Sequence, residues 1–509
     1  MTLHLVDEYI SDLKDKNILS DSFPADRADP VTDITYNSKQ IHEGTLFICK
    51  GEHFKEDYLH EAIASGAIAY VSDTRYALSD NEKATAIIVN DIRKAMAAVS
   101  SLYANRPCDK LRLLGITGTK GKTTTGCYVT AIMEDYADNT GKKRPGYMSS
   151  IFCYSGKEVE ETHITTPEPV ELQKFLLECI DNGIENVNLE VSSQGIKYER
   201  VGYVHFNTAV FTNIGDDHIS PYEHPDFEDY FESKLRLFDM SDNAVINKGS
   251  DHFDRISRRA SRCKKVVTYG FTDDADIYAT DIVRDRDGSD FTVHEFGETY
   301  KARVNMPGIM NVENALAAIA VSSIYEIPRE YILSGLARGK ASGRMEKYVS
   351  KDGRMVFLVD FAHNKLSVQN LLDMVIEDYP DYDIRMIIGL AGNRAFLRRR
   401  DVGTLAGKYS KKVYIVCDNP TYETFEKIGG ETAKWVEAQG CDYEMFEIRE
   451  DGVKQALKDA MASGNKTIVL VTGKGGETTQ RYGDKQIICK SDIQSSIECI
   501  EYYDAHCND

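Results

Sequence analysis

GITGTKGKTTT, residues 115–125, joins the apolar run LRLLGIT to the stretch TTTGCYVTAIMEDY, in which apolar residues recur at helical spacing. A strand that passes through a Gly-rich turn into a helix can cradle phosphate. Gly118 and Gly121 permit a backbone path that turns N–H groups inward, Lys122 brings positive charge to the terminal phosphates, and Thr123 offers a hydroxyl to Mg²⁺. Five residues separate Gly115 from Gly121 where the standard motif has four, so the loop is a variant. The plain alternative is a turn that merely links strand to helix.

Outward from this loop, the runs VNLEVSS, TAVFTNI, NAVINKG and KVVTYGF alternate with helical stretches such as PVELQKFLLECI, the pattern of a mainly parallel sheet covered on both faces. MVFLVDFAH, RMIIGLAG, KVYIVCDNP and TIVLVTGKGG repeat strand-then-loop further on and predict a second doubly wound unit. Before the loop, GTLFICKG and AIAYVSD flank the helical pattern YLHEAIASGA and predict a small α/β unit. The expected architecture is α/β with three domains: 1–106, a central P-loop mononucleotide-binding domain at 107–341, and a C-terminal Rossmann-like domain at 342–509. In such sheets ligands gather at the carboxyl ends of strands.

The 509 residues exceed what one core usually organises. With 81 Asp and Glu against 61 Lys and Arg, the formal charge of -20 repels nucleic acid and anionic membranes and favours a small-molecule partner received by local cations. The 11 cysteines are scattered without CxxC pairing, as expected in a reducing cytoplasm. MTLHLVDEYISDLKDKNILS mixes acids with apolar residues, and no run approaches the roughly 20 apolar residues of a spanning helix, so neither signal peptide nor membrane insertion is expected. Phosphoryl transfer needs a divalent cation held by a few oxygens, for which Glu190, closing VNLE, is well placed; FTNIGDDH and FESKLRLF supply further candidates. Taken singly, Glu190 reads as an ordinary solvated acid and Lys234 as a surface lysine.

Together with YNSKQIHEGTLFICKG, ITTPEPVELQ, LEVSSQ, FTNIGDDH, YFESKLRLF, PGIMNVENALAA, GRMEKY, VDFAHN, CDNPTYE and TGKGGETTQ, the loop makes the chain resemble the Mur ligases nearly end to end, and among them those that add the third residue of the peptidoglycan stem. The resemblance implies ATP and Mg²⁺ as cofactors, UDP-MurNAc-L-Ala-D-Glu and a free amino acid as substrates, and a monomer. It places ATP on Gly118, Thr119, Lys120, Gly121, Lys122, Thr123 and Thr124, with Asn311, Asn314, Arg344, Asp360 and His363 completing the nucleotide site. Ser38, Thr165, Thr166, Ser193 and Arg200 would hold the UDP-linked substrate. Lys122, Glu190, His218 and Lys234 would form the catalytic group, with Thr123, Glu190, His218 and a carbamylated Lys234 (N6-carboxylysine) around metal. Arg399, Asp418, Asn419, Gly473 and Glu477 would hold the amino acid. NVENALAA also reads as a helix start capped by asparagine, and RAFLRRRD as a solvated basic face, although four arginines within seven residues of a -20 chain favour anion capture.

Several positions depart from the family pattern. Members that add meso-diaminopimelate carry DNPR, whose arginine pairs with the distal carboxylate; here Thr421 stands in that place and supplies no charge, which favours L-lysine. Gln194 replaces a usual histidine, Gly476 another, AGNRAF a GGDRD-type run, and Asn37 and Lys39 the usual Asp and Arg around Ser38. The implied reaction is attack of the D-glutamyl carboxylate on the γ-phosphate, then attack of the amine on the acyl phosphate, with His363 or a nearby acid as candidate proton acceptor. The competing readings are a sibling ligase such as a folate enzyme, which lacks the segment around Ser38, and a nucleotide-binding regulator that has lost ligation.

Overall fold

The structure, a computed structural model, describes residues 2–25, 29–51, 54–162, 164–221, 223–394 and 396–507. Its long apolar runs become strands buried on both faces, as a sheet covered by helices on each side requires. The central sheet has 11 strands, and those from Gly146–Met148 through Asn186–Glu190, Arg112–Thr117, Phe206–Phe211, Ser241–Asn247 and Lys265–Gly270 to Ile277–Arg284 run parallel. Antiparallel strands finish both edges: Phe152–Tyr154 and Val159–Glu161 on one side, Ser289–Glu295 and Glu298–Val304 on the other. The sequence reading assigns none of these edge strands.

Arg112–Thr117 lies between Asn186–Glu190 and Phe206–Phe211, with Ile116 opposite Glu190 and Thr117 opposite Phe211. The loop that follows therefore rises between two other strand ends, the crevice where open α/β sheets take ligands. Two close approaches fix its path. An added Cβ on Gly118 would lie 1.9 Å from Thr212 Oγ1, and one on Gly121 would lie 2.5 Å from Asn314 Oδ1. The helix Lys122–Thr140 begins at once after Gly121, whose φ of +86° is left-handed and suits glycine.

A second sheet, six-stranded, is ordered Glu346–Val349, Met355–Asp360, Thr467–Thr472, Asp383–Ile388, Lys412–Val416 and Asp442–Phe446, parallel except at its first strand. Asp360, Gly473 and Asp418 follow or close its strands on the side that meets the central loop. One apolar cluster contains Leu114 and Val210 of the central sheet together with Val356 and Leu470 of this one, so the two share a core. The remaining five-stranded sheet, Leu19–Phe23, Thr85–Val89, Ala67–Ser72, Thr45–Ile48 and Asp33–Thr35, has clusters largely its own. It is held to the central unit through polar contacts: Lys174 Nζ donates to Asp33 Oδ1 at 2.7 Å and Tyr36 Oη to Glu171 Oε1 at 2.8 Å. The architecture is α/β as the sequence predicts. Among the described residues no helix is long and apolar enough to cross a membrane.

Candidate functional site

The loops at the carboxyl ends of the central and six-stranded sheets enclose one cavity of about 560 Å³. Its central wall is the loop after Arg112–Thr117. The Thr119 and Lys120 N–H groups are taken by Asn213, at 2.9 and 2.8 Å, so the groups left to face a ligand are those of the first helical turn, which have no intrahelical acceptor. Lys122 Nζ donates back to Gly118 O at 2.9 Å. Lys234, on the helix Phe227–Leu235, donates to the same carbonyl at 2.9 Å and is 2% exposed. Burial, with Lys122 nearby, holds the Lys234 amine well below its ordinary pKa. Burial also lowers Lys120 to about 7, against the opposing pull of Asp217. Three lysines thus converge on one bend.

Acidic groups stand beside them. Glu190 is 4% exposed; its Oε1 accepts from Ser150 N at 3.2 Å, while Oε2 has no hydrogen-bond partner. Thr123 Oγ1 lies 3.2 Å from Ser150 Oγ, which brings hydroxyl and carboxylate to the same corner. A bare buried carboxylate oxygen beside a hydroxyl fits a hard divalent cation. His218, at a φ of +56°, has Nδ1 2.9 Å from Glu223 Oε1, while its Nε2 faces the cavity 3.9 Å from Asp217 Oδ2. Among the described residues no group of three or more His, Cys, Asp or Glu is arranged to hold a metal, so protein carboxylates and imidazoles alone do not complete a shell.

From the six-stranded side come Arg344, Asp360 and His363. Arg344 stacks its guanidinium 4.1 Å from the Phe361 ring centre. Asp360 accepts from the Met345 and Ala362 N–H groups at 2.9 and 2.8 Å. His363 Nδ1 donates to Phe361 O at 2.7 Å, which turns Nε2 toward Lys120 Nζ at 3.3 Å. Burial and the Lys120 and Arg398 charges hold His363 well below its ordinary pKa, so it is a weak base. Asn311 and Asn314 also face the cavity. They are not caps: their helix begins at Ile309 after Gly308, and Asn311 Nδ2 donates to Pro307 O at 2.7 Å. At the far end Asp418 is 6% exposed, its Oδ1 accepting no hydrogen bond and standing 4.0 Å from Lys474 Nζ, and burial raises both its pKa and that of Glu477. Asn419 and Gly473 complete that end.

Four of the residues expected at the site lie off the cavity lining. Arg399 does not face the cavity; it is 4% exposed and its guanidinium is taken by Glu423 at 2.6 Å and Glu431 at 2.5 Å, while its neighbours Arg394 and Arg398 line the space instead. Ala395 of the same segment lies outside the described residues. Thr166 is buried behind the wall, accepting from Ser192 N and donating to Glu190 O, both at 3.0 Å, so it positions that loop. Ser38 sits on the turn Ser38–Gln40, off the cavity lining. Gly118 likewise acts from behind, through its carbonyl. Thr165, Ser193 and Arg200 do line the cavity, Arg200 tied to Glu168 Oε1 at 2.8 Å and Ser193 Oγ 2.9 Å from His224 Nε2. That histidine comes from a distant segment to the residue next to Gln194.

The reading of the sequence passes over Asp217. It is buried, and it accepts from Arg398 Nε at 3.0 Å and Asn364 Nδ2 at 2.6 Å, with Lys120 Nζ at 3.7 Å. It clasps the six-stranded unit to the central one across the cavity. The signal was present, since Asp217 directly precedes His218 in FTNIGDDH.

Comparison with known proteins matches residues 116–322 to the Mur ligase middle domain and residues 343–475 to the Mur ligase, glutamate ligase domain. A relative from Enterococcus faecalis, UDP-N-acetylmuramoyl-L-alanyl-D-glutamate–L-lysine ligase, is 33% identical over 456 residues, covering 89% of this chain and 88% of its own. Among solved structures, a UDP-N-acetylmuramoyl-L-alanyl-D-glutamate–2,6-diaminopimelate ligase superposes with a TM-score of 0.63 at 22% identity, covering 94% of this chain and 97% of that one. MurF ligase from Thermotoga maritima in complex with ADP gives 0.59 at 17% identity, over 93% and 97%.

Gly121→Ala would add strain of about 1–3 kcal/mol in the left-handed conformation. Calorimetric titration with a nucleoside triphosphate is expected to show roughly tenfold or greater loss of affinity, with a thermal midpoint only a few degrees lower. Lys120 gives a pH signature. A bound triphosphate raises its pKa from about 7, so the affinity it contributes is complete below that value and fades as pH rises through the higher bound value. Triphosphate affinity should therefore fall between pH 7 and 9, and Lys120→Arg, charged throughout, should flatten the profile.

Proposed function

The chain belongs to the Mur ligase family, and from that premise we propose that it is an ATP-dependent amide ligase joining L-lysine to UDP-N-acetylmuramoyl-L-alanyl-D-glutamate through an acyl phosphate. The observation that carries the reading is a single cavity with a phosphate-binding bend and its lysines at one wall and, at the other, the buried carboxylate of Asp418, whose Oδ1 accepts no hydrogen bond and has Lys474 Nζ 4.0 Å away. A polyanion and an ammonium group can meet there.

In this reading Gly121, Lys122, Thr123 and Thr124 take the phosphates, with Lys120 and Arg398 closing over them, and Asn311, Asn314, Arg344, Asp360 and His363 hold the nucleoside and its phosphates. Thr123, Glu190 and His218 would hold Mg²⁺, which neutralises charge on the transferring phosphoryl group. The Lys234 amine, held well below its ordinary pKa by burial beside Lys122, suits carbamylation: its nitrogen bonds to the carbon of CO₂ and releases a proton, leaving an anion where an ammonium would stand. Thr165, Ser193 and Arg200 hold the UDP-linked substrate, oriented from behind by Thr166, with Ser38 of the N-terminal unit reaching its uridine end.

The D-glutamyl carboxylate attacks the γ-phosphorus, ADP leaves, and the amine displaces phosphate from the acyl phosphate. Catalysis rests on positioning and on cations fixed in advance. Asp418, Asn419, Gly473 and Glu477 hold the amino acid, with Arg394 and Arg398 in place of Arg399 near its carboxylate. Burial raises the pKa values of Asp418 and Glu477, which favours them as proton acceptors for the incoming ammonium, and lowers that of His363, which disfavours it. Lysine is supported by the Enterococcus relative and by Thr421, whose hydroxyl donates to Asn393 Oδ1 at 2.7 Å and brings no charge to a distal carboxylate. All 11 cysteines are free, which supports a cytoplasmic setting. The three domains proposed are 1–106, 107–341 and 342–509.

ADP formation with UDP-MurNAc-L-Ala-D-Glu across L-lysine, meso-diaminopimelate and L-ornithine tests this directly. Turnover dependent on both substrates and highest with L-lysine is expected. ADP release indifferent to the amino acid would remove the ligase reading, and preference for diaminopimelate would remove the lysine assignment.

A further inference from the structure

The opposite end of the central sheet holds a second cavity, of about 390 Å³, where the strands Arg112–Thr117 and Asn186–Glu190 begin. Lys110, Arg112, Lys142 and Lys143 line it, and among the described residues no carboxylate lies within ion-pair distance of any of them. Glu185 is the one acid in the lining, so the side chains there sum to +3 (four cations less one carboxylate) in a chain whose net charge is -20.

The bland explanation is that these cations answer helix dipoles. Lys142 and Lys143 do follow the C-terminus of Lys122–Thr140, and Tyr325 follows that of Ile309–Ile324. Two helix ends contribute only about half a negative charge each, so roughly two positive charges remain unanswered. Lys110 closes only the single 3₁₀ turn Pro107–Asp109, and Arg112 begins a strand with no helix end to serve. Two of the cations are also held against the walls: Arg112 lies 5.0 Å from the Tyr325 ring centre and Lys142 4.7 Å from that of Tyr136. The space between them stays open, at a volume within the range of small-ligand sites.

We propose that this rear cavity binds a small polyphosphate anion, at a site separate from the one that takes nucleotide. Phosphate oxygens would accept from the ammonium and guanidinium groups of all four cations, and the tyrosine faces would bound the ligand's sides. The helices Lys122–Thr140 and Ile309–Ile324 both begin at the front cavity and end here. The longer spans about 28 Å at 1.5 Å per residue, so the two sites cannot be parts of one pocket.

Inorganic pyrophosphate is the probe, titrated calorimetrically into the full chain at fixed ionic strength with the front site saturated by a non-hydrolysable ATP analogue. One equivalent should bind. Lys142→Glu with Lys143→Glu should weaken it about tenfold or more while leaving the affinity for the analogue unchanged, and Lys110→Gln with Arg112→Gln, a second route should the first pair fail to fold, should do the same. Absence of bound pyrophosphate, or binding that survives both pairs of substitutions unchanged, would overturn the proposal.

Discussion

Three lysines drawn to one backbone bend are the constraint on which the structure turns. Lys122 and Lys234 both donate to Gly118 O, and Lys120 stands over the same loop. Burying cations this close together is unfavourable unless negative charge arrives, and the pKa values of all three are lowered accordingly. Glu190 and Asp217 supply part of the countercharge. The rest is left to a ligand, and a triphosphate with its cation has the right charge. Other features keep that imbalance in place: the glycines that let the loop pass Thr212 and Asn314, the Asn213 side chain and carbonyl that tie it down, and the parallel strands that bring Glu190 alongside.

Closing the cavity is the task of the six-stranded unit. Its apolar cluster continues into the central one, and the buried Asp217 joins Arg398 and Asn364 across the gap. A buried charge network of this kind adds specificity of placement more surely than it adds stability. It sets Arg398 of the six-stranded unit and Lys120 of the central loop against the same carboxylate. The N-terminal sheet is attached by Val170, which joins its apolar cluster, and by polar contacts at Asp33, Tyr36 and Glu168.

The parallel sheets were legible because their strands are buried on both faces and so read as unbroken apolar runs, MVFLV and IVLV among them. Glu190 and Asp418 could be found for the same reason, as polar residues closing or following such runs. Helix phase was not legible. Arg398 and Arg399 are adjacent on Leu397–Tyr409 and therefore point about 100° apart, and only the positions of Glu423 and Glu431 decide which one turns inward. Strands toward one side of the central sheet, such as Ile277–Arg284, were hidden by their alternating exposure. The meeting of His224 with Ser193, residues brought together solely by the fold, leaves no trace in local spacing.

The most direct test of phosphoryl transfer within this cationic bend follows the oxygen that the transfer must move. With UDP-MurNAc-L-Ala-D-Glu carrying ¹⁸O in both free carboxylates of its D-glutamyl residue, ATP and L-lysine, the account predicts one ¹⁸O atom in each inorganic phosphate released, read by mass spectrometry. Unlabelled phosphate, or label appearing in AMP, would contradict it.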